Sequence, residues 1–164
     1  MKMKRLMCAL LACSSILGGI ISAAQAVEAP NETVVRLEDL TWERIDLSTV
    51  EHCAAGPMPL ATGQIDQSIS GKTIIYVTNL IDFNADDTVS FNCSYSPSSA
   101  SMDFGVIASS GQFYYINVKG GSISQAIRIN QAGSYAVAIR NNSSQTVRVV
   151  GFVDYARCGY PRAR

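Results

Sequence analysis

The sequence predicts an all-β protein: a single antiparallel β-sandwich, jelly-roll-like, with about seven or eight strands behind an N-terminal signal peptide. Three observations lead to this prediction. From residue 72 onward, turn residues recur roughly every ten to twelve positions. Between the turns, apolar and polar side chains alternate as they do along strands. No segment between them has the period of an amphipathic helix.

Residues 1–26 have the pattern of a secretory signal peptide. Basic residues stand at positions 2, 4 and 5, an apolar run follows, and Ala24-Gln25-Ala26 offers a small-x-small cleavage site. We expect cleavage after Ala26 and a mature protein that is extracellular or in the cell envelope. Leu10-Leu-Ala-Cys13 also resembles a bacterial lipobox, so lipidation of Cys13 is an open alternative. The sequence after residue 26 has no apolar run that could span a membrane.

The mature chain has a length that suits one domain. Residues 27–71 read as a lead-in, a strand and a Pro/Gly loop, and residues 72–164 as the body of the sandwich, with 40–71 in the same domain. Cleavage would remove three of the thirteen basic residues and none of the thirteen acidic ones. The resulting negative net charge disfavours nucleic acid as a partner.

Acidic and basic residues are divided unevenly along the chain. Residues 27–103 hold twelve acidic and three basic residues, whereas residues 104–164 hold one acidic and seven basic residues. If strands from the two halves alternate in the sheets, these charges pair across the surface, which is the interpretation we favour. The alternative is a bipolar surface that self-associates or lies on a charged envelope polymer.

Three cysteines remain after the signal peptide: Cys53, Cys93 and Cys158. In an exported protein this number indicates one disulfide and one thiol, or three thiols where no oxidation system acts. Cys93 alternates in step with Val89, Phe91 and Tyr95, which predicts that it points into the core. Cys53 and Cys158 flank the sandwich and are the candidate disulfide, which the chain-entropy model values at roughly 4 kcal/mol.

The predicted elements differ in clarity along the chain. Residues 27–39 read as a flexible lead-in or a loose edge strand, residues 37–47 favour a strand, and residues 53–63 form a long Pro/Gly loop. The clear strands are Thr73–Ile81, Thr88–Tyr95, Met102–Ala108, Gln112–Val118, Ser122–Ile129, Ser134–Arg140 and a last strand ending at Tyr155. Ser109-Ser-Gly111 predicts a hairpin whose last loop residue has positive φ.

Two of these strands carry apolar residues on both faces. In residues 112–117, either Tyr114 or the pair Phe113 and Tyr115 must point away from the core. In the last strand, Val150 and Phe152 lie opposite the face of the core. Exposed aromatic residues often contact sugars and proteins, so Tyr114, Tyr115 and Phe152 are the candidate binding residues.

The N-terminal lead-in is a candidate to cover the outer face of the last strand. Residues around Val34 and Val35 could cover Val150 and Phe152, which is the arrangement we favour, or these two side chains form an exposed patch.

Residue patterns for catalysis or metal binding are weak in this sequence. The only histidine, His52, precedes Cys53 and reads as a surface residue rather than a Cys-His catalytic pair. Asp82, Asn84 and Asp86 match the first half of a calcium loop, so Ca²⁺ is the one cofactor to consider. Asp87 replaces the glycine of that loop, and Cys93 stands where it has a glutamate. We therefore favour an acidic turn. Carboxylate pairing for glycoside hydrolysis among Asp66, Asp82 and Asp103 has no supporting spacing.

The segments Ser101-Met-Asp-Phe-Gly-Val-Ile-Ala-Ser-Ser-Gly111 and Ser122–Arg140, which contains Ala132-Gly-Ser-Tyr135, resemble the bacterial pre-peptidase C-terminal type of β-sandwich. The resemblance covers about half of the mature chain. Such modules are non-catalytic and accompany secreted enzymes, so the resemblance implies a binding or accessory role, although we expect no enzyme domain within residues 27–164.

The sequence therefore predicts a small, secreted, non-catalytic bacterial β-sandwich that acts as a binding or surface-interaction module for a glycan or protein of the cell wall or extracellular space. The alternative is a secreted inhibitor or a structural envelope component. A small hydrolase is the minor third hypothesis.

Overall fold

A computed structural model describes residues 33–52 and 62–156 of the chain. In these ranges the chain forms twelve strands and two short 3-10 turns, without an α-helix. The predicted signal peptide, the lipobox at Cys13, Cys53, Cys158 and most of the Pro/Gly loop lie outside the described residues. Within the described ranges, the structure has no helix with the length and hydrophobicity to cross a membrane.

The strands are numbered in chain order. They are β1 (Thr33–Arg36), β2 (Thr41–Arg44), β3 (Glu51–His52), β4 (Thr62–Ile69), β5 (Ile74–Tyr76), β6 (Ile81–Phe83), β7 (Thr88–Ser96), β8 (Met102–Ala108), β9 (Gln112–Val118), β10 (Ser122–Arg128), β11 (Gly133–Asn141) and β12 (Val147–Ala156). The two 3-10 turns span Leu37–Asp39 and Leu47–Thr49.

Two sheets pack face to face around the core. Sheet A has the order β1-β10-β7-β12-β4, and sheet B has the order β2-β9-β8-β11-β5-β3, with β6 also paired to β11. The pairs are antiparallel except β1 with β10 and β3 with β5. The predicted all-β sandwich is confirmed.

In sheet A, strands from the acidic and basic halves of the sequence alternate, whereas in sheet B the neighbouring strands β9, β8 and β11 lie between β2 on one side and β5 and β3 on the other. Charges of the two halves meet in both sheets. Arg148 of β12 pairs with Asp66 of β4, and Arg140 of β11 pairs with Asp103 of β8 and Glu43 of β2. Each of these ion pairs joins one half of the sequence to the other. The expected pairing of the uneven charges is therefore confirmed.

Alternation along the strands builds the core between the sheets. Val89, Phe91, Cys93 and Tyr95 of β7 are buried, as predicted. The ring of Phe104 on β8 lies opposite them, 5.8 Å from the Phe91 ring and 6.2 Å from the Tyr95 ring. Side chains of this size contribute about 1.5–3 kcal/mol each on full burial. These contacts fix the position of sheet A over sheet B.

A second apolar cluster lies on the outer face of sheet B, where the chain between β2 and β3 crosses it. Phe113 of β9 and Ile107 of β8 are almost fully buried there against Val50 of this crossing segment. The 3-10 turn in the segment begins at Asp46, whose Oδ1 accepts a hydrogen bond of 2.9 Å from the Ser48 backbone N–H. A strand with apolar residues on both faces is thus covered on both faces.

Two strand assignments differ from the sequence predictions. The predicted strand Thr73–Ile81 is divided into β5 and β6, which pair with different parts of β11. Between them, the Thr78 hydroxyl accepts a 3.0 Å hydrogen bond from the Val137 N–H, so a side chain replaces the backbone ladder. The sequence reasoning missed β4, because Gln67 interrupts its alternation. The predicted hairpin is confirmed, with Gly111 at φ 87°.

Gly151 lets β12 approach β7 closely. A methyl group at position 151 would lie 2.2 Å from the carbonyl oxygen of Asn92 and 2.5 Å from the Cα of Cys93. We expect Gly151→Ala to lower the free energy of unfolding by about 2 kcal/mol or more, because backbone atoms of the neighbouring strand must move. Urea denaturation measures the loss. The control is Gly133→Ala, whose methyl would meet only the Tyr135 ring, at 3.2 Å. Equal losses for both variants would contradict this account.

Candidate functional site

Val150 and Phe152 on the outer face of sheet A are exposed to solvent. Val150 is 37% exposed and Phe152 is 48% exposed, while Val149 and Val153 on the other side of β12 are fully buried. The predicted division of the last strand into two faces is confirmed. Packing in the core therefore does not explain why residue 152 is a phenylalanine.

Small polar side chains surround these two residues. Phe152 is aligned with Asn92 of β7, and Asn92 with Ser124 of β10. One row further along, Val150 is aligned with Ser94. An open depression of about 450 Å³ lies over this part of the sheet. The outward side chains that line it, called the Phe152 face below, are Asn92, Ser94, Ser122, Ser124, Val150 and Phe152.

The charges nearest to the Phe152 face on the β4 side are neutralised by each other. Arg148 donates two hydrogen bonds of 2.8 Å to the two carboxylate oxygens of Asp66, in bidentate geometry. The hydrogen bond from Arg148 lowers the pKa of the Asp66 carboxyl. The six residues of the Phe152 face are themselves uncharged, and the next residue on the same side of β12 is Asp154, which is aligned with Ser90.

The N-terminal strand does not cover Val150 and Phe152, contrary to the arrangement favoured from the sequence. β1 pairs with β10 at the edge of sheet A and extends the same sheet. Val34 is itself 47% exposed. A strand added to the edge of a sheet cannot lie across the face of that sheet, and the alternative of an exposed patch is therefore the correct one.

The structure places Tyr114 away from the Phe152 face. The Tyr114 side chain is half-buried against the core between the sheets. Its ring lies 6.5 Å from the ring of Trp42 on the edge strand β2, and Trp42 is 55% exposed. Sequence reasoning did not identify Trp42, because its exposure depends on the position of β2 at the edge of the sheet.

Tyr115 is half-buried on the outer face of sheet B. Its ring stacks on Phe113 with centroids 5.0 Å apart. The guanidinium of Arg140 lies 4.9 Å from the centre of the Tyr115 ring and 5.3 Å from that of Phe113. Tyr115 thus has partners within the fold and is separated from Phe152 by the thickness of the sandwich.

Beside Tyr115 lies a buried carboxylate whose oxygens accept several hydrogen bonds. Asp103 is fully buried and accepts hydrogen bonds from Arg140 at 2.6 and 2.8 Å, from Asn142 at 2.7 Å and from Asn117 at 2.5 Å. Arg140 also pairs with Glu43. Burial raises the pKa of Asp103, and the hydrogen bonds from Asn117 and Asn142 oppose that shift. Such a saturated group is suited to a structural role. Sequence reasoning missed the network, because its members lie on separate strands and in a turn.

The remaining acidic candidates lie in separate parts of the fold. Asp66 and Asp103 lie on the outer faces of opposite sheets, and Asp82 of β6 accepts a hydrogen bond from the Ser134 hydroxyl. In the turn after β6, the Asn84 N–H donates to Asp87 at 2.8 Å, and Asp86 has positive φ. Within the described residues, no three His, Cys, Asp or Glu side chains lie close enough to hold a metal ion.

His52 and Cys93 are the other reactive side chains of the described residues. His52 is exposed, and its ring lies 5.3 Å from the ring of Tyr76. Cys93 is a free thiol, 3% exposed, that donates weakly to the Phe152 carbonyl at 3.5 Å. Burial raises the pKa of Cys93 to about 11. A buried, protonated thiol is chemically inert.

The described residues thus form a β-sandwich with an exposed pair of apolar side chains on the outer face of sheet A. No family model matches the sequence, and no curated protein matches it. Among solved structures, the chain is similar to PliG of Aeromonas hydrophila, a periplasmic inhibitor of g-type lysozyme, with a TM-score of 0.43 and 17% identity. The similarity covers 66% of this chain and 96% of that chain.

Removal of the Asp103 carboxylate should destabilise the fold strongly. Asp103→Ala leaves the Arg140 guanidinium and two amides without their acceptor, and we expect a loss of about 3 kcal/mol or more in the free energy of unfolding. Urea denaturation of Asp103→Ala and Asp66→Ala provides the comparison. Asp66 also binds an arginine in bidentate geometry, but it is exposed, and its removal should change stability little. Similar losses for both variants would contradict the structural role of the buried network.

Cys93 should make stability depend on pH in the alkaline range. The unfolded chain releases the thiol proton above about pH 9, whereas the folded chain keeps it to about pH 11. Between these values the wild type should lose stability relative to Cys93→Ala, by an amount on the order of 2 kcal/mol. Urea denaturation at several pH values measures the difference. If the free energy of unfolding changes with pH in the same way in both proteins, the Cys93 thiol is not the cause of the alkaline loss of stability.

Proposed function

We propose that this chain is an exported, non-catalytic β-sandwich that binds a partner protein through the Phe152 face. One observation carries the proposal: Phe152 and Val150 are exposed side by side among small polar side chains. Exposed aromatic residues are enriched in protein-binding surfaces, where a few anchor residues supply most of the affinity.

The composition of the face favours a protein over a glycan. Serine and asparagine adapt their hydrogen bonds to a partner, and the aromatic residue supplies contact area at a low cost in conformational entropy. A flat sugar-binding platform would need several aromatic rings in a row. Among the described residues of the Phe152 face, Phe152 is the one aromatic residue.

A secreted inhibitor is the more specific form of the same proposal, in which the partner is an enzyme. PliG is described as an inhibitor of g-type lysozyme. Because the TM-score is only 0.43, the similarity does not support the proposal, but it suggests g-type lysozyme as an enzyme to test. Export to the periplasm or the extracellular space is proposed from the N-terminal sequence.

A photoreactive residue on the Phe152 face tests the proposal in the cells that make the protein. We expect such a residue at Ser124 to form a discrete adduct with one protein, and Phe152→Ala to abolish that adduct. With the partner purified, Phe152→Ala should weaken binding at least about tenfold, because central aromatic anchors contribute most at interfaces.

Two controls make the experiment decisive. Leu80→Ala removes an apolar side chain of comparable exposure (56%) outside the Phe152 face, and it should leave binding unchanged. A photoreactive residue at Ser109, in the β8–β9 hairpin, should not form the adduct. The absence of a protein adduct at Ser124, or equal loss of binding for Leu80→Ala, would overturn the proposal.

Purified g-type lysozyme tests the inhibitor form. If this enzyme is the partner, the wild-type chain should slow its lysis of peptidoglycan and Phe152→Ala should restore lysis. Undiminished lysis at saturating wild-type chain would exclude this enzyme as the partner.

A further inference from the structure

Strand β4 forms an open edge of sheet A. It pairs with β12 over eight residues, Thr62 to Ile69, without an interruption in register. Within residues 33–52 and 62–156, no strand pairs with its other side. A regular edge of this length presents a row of backbone donors and acceptors to another strand.

The other edges of the sandwich are much shorter. β1 and β2 have four residues each, β6 has three and β3 has two. Short edge strands are one of the means by which proteins prevent pairing with other chains. β4 also lacks the other common protections, since it has no proline, lysine or bulge.

The single charge of β4 is neutralised within the chain. Asp66 is the only ionisable residue of the strand, and Arg148 of β12 binds it in bidentate geometry. A charged edge strand would repel a second copy of itself. This ion pair removes most of that repulsion.

We propose that β4 pairs antiparallel with β4 of a second copy of this chain, on a two-fold axis at Gln67. In this register Asp66 lies opposite Ser68 of the second copy, so the two aspartates do not face each other. Ile65 lies opposite Ile69 on the inner side, and the end of β4 that adjoins residue 61 stays outside the contact. The two sheets A form one ten-stranded sheet with both Phe152 faces on the same side.

The contact is small. A pair of strands buries less surface than the roughly 1,200–2,000 Å² of a stable interface, so the dimer should be weak and should form at high protein concentration. It is independent of the Phe152 face, because the outward residues of that face do not take part.

Substitutions at Ser68 test the register, since this side chain is exposed and does not contribute to the core. Ser68→Asp places an aspartate opposite Asp66 of the second copy, twice per dimer, and should weaken the dimer by between roughly twofold and thirtyfold. Ser68→Lys places a cation there and should strengthen it. Within one chain, position 68 is aligned with Arg148, so Ser68→Asp leaves the monomer folded. Sedimentation equilibrium of the full mature chain over a range of concentrations measures the dissociation constants.

Ser96→Asp on β7 is the matched control, because Ser96 is exposed, lies on an inner strand outside the Phe152 face and is aligned with Arg148 as Ser68 is. It should leave the dimer unchanged. Backbone amides of β4 should also exchange with deuterium more slowly as the concentration rises, while those of β1 do not. A protein that stays monomeric at millimolar concentration would overturn the proposal. So would a dimer that Ser96→Asp disrupts, or one on which Ser68→Asp and Ser68→Lys have the same effect.

Discussion

The pairing of β7 with β12 is the contact on which the rest of the sandwich depends. It joins residues 88–96 to residues 148–156 over nine aligned pairs, the longest ladder of the described structure. In sheet A, β10 and then β1 follow on the β7 side of this pair, and β4 follows on the β12 side. On its inner face it presents Phe91 and Tyr95 to sheet B, and on its outer face it presents Asn92 and Phe152. Core and candidate site are thus two faces of one ladder.

Apolar residues point outward from both sheets, but only one set is covered. On sheet B, the chain from Ile45 to Val50 crosses the outer face and buries Phe113. On sheet A, the short strand β1 adds to the edge, and Phe152 is left in contact with water. This difference between the sheets explains why the outward aromatic residues of β9 and of β12 have different roles. Tyr115 belongs to a packed layer with Arg140, whereas Phe152 belongs to a surface.

Sequence patterns predicted those structural features that depend on residues close to each other in the sequence. Alternation predicted the buried residues of β7, and Gly111 predicted the hairpin between β8 and β9. What the patterns could not predict depends on distant partners. The break between β5 and β6 follows from a hydrogen bond between Thr78 and Val137, fifty-nine residues apart. The exposure of Phe152 follows from the parallel pairing of β1 with β10, for which the sequence has no local signal.

The position of Cys93 under the β7–β12 ladder has a consequence for the accessibility of its thiol. The thiol lies beneath a strand that follows it much later in the sequence, since Cys93 and Phe152 are 59 residues apart. Without the β12 pairing the sulfur would be accessible to oxidants, whereas in the folded chain it is buried. Gly151, which permits the close approach of the two strands at Cys93, is therefore also a condition for the burial of the thiol.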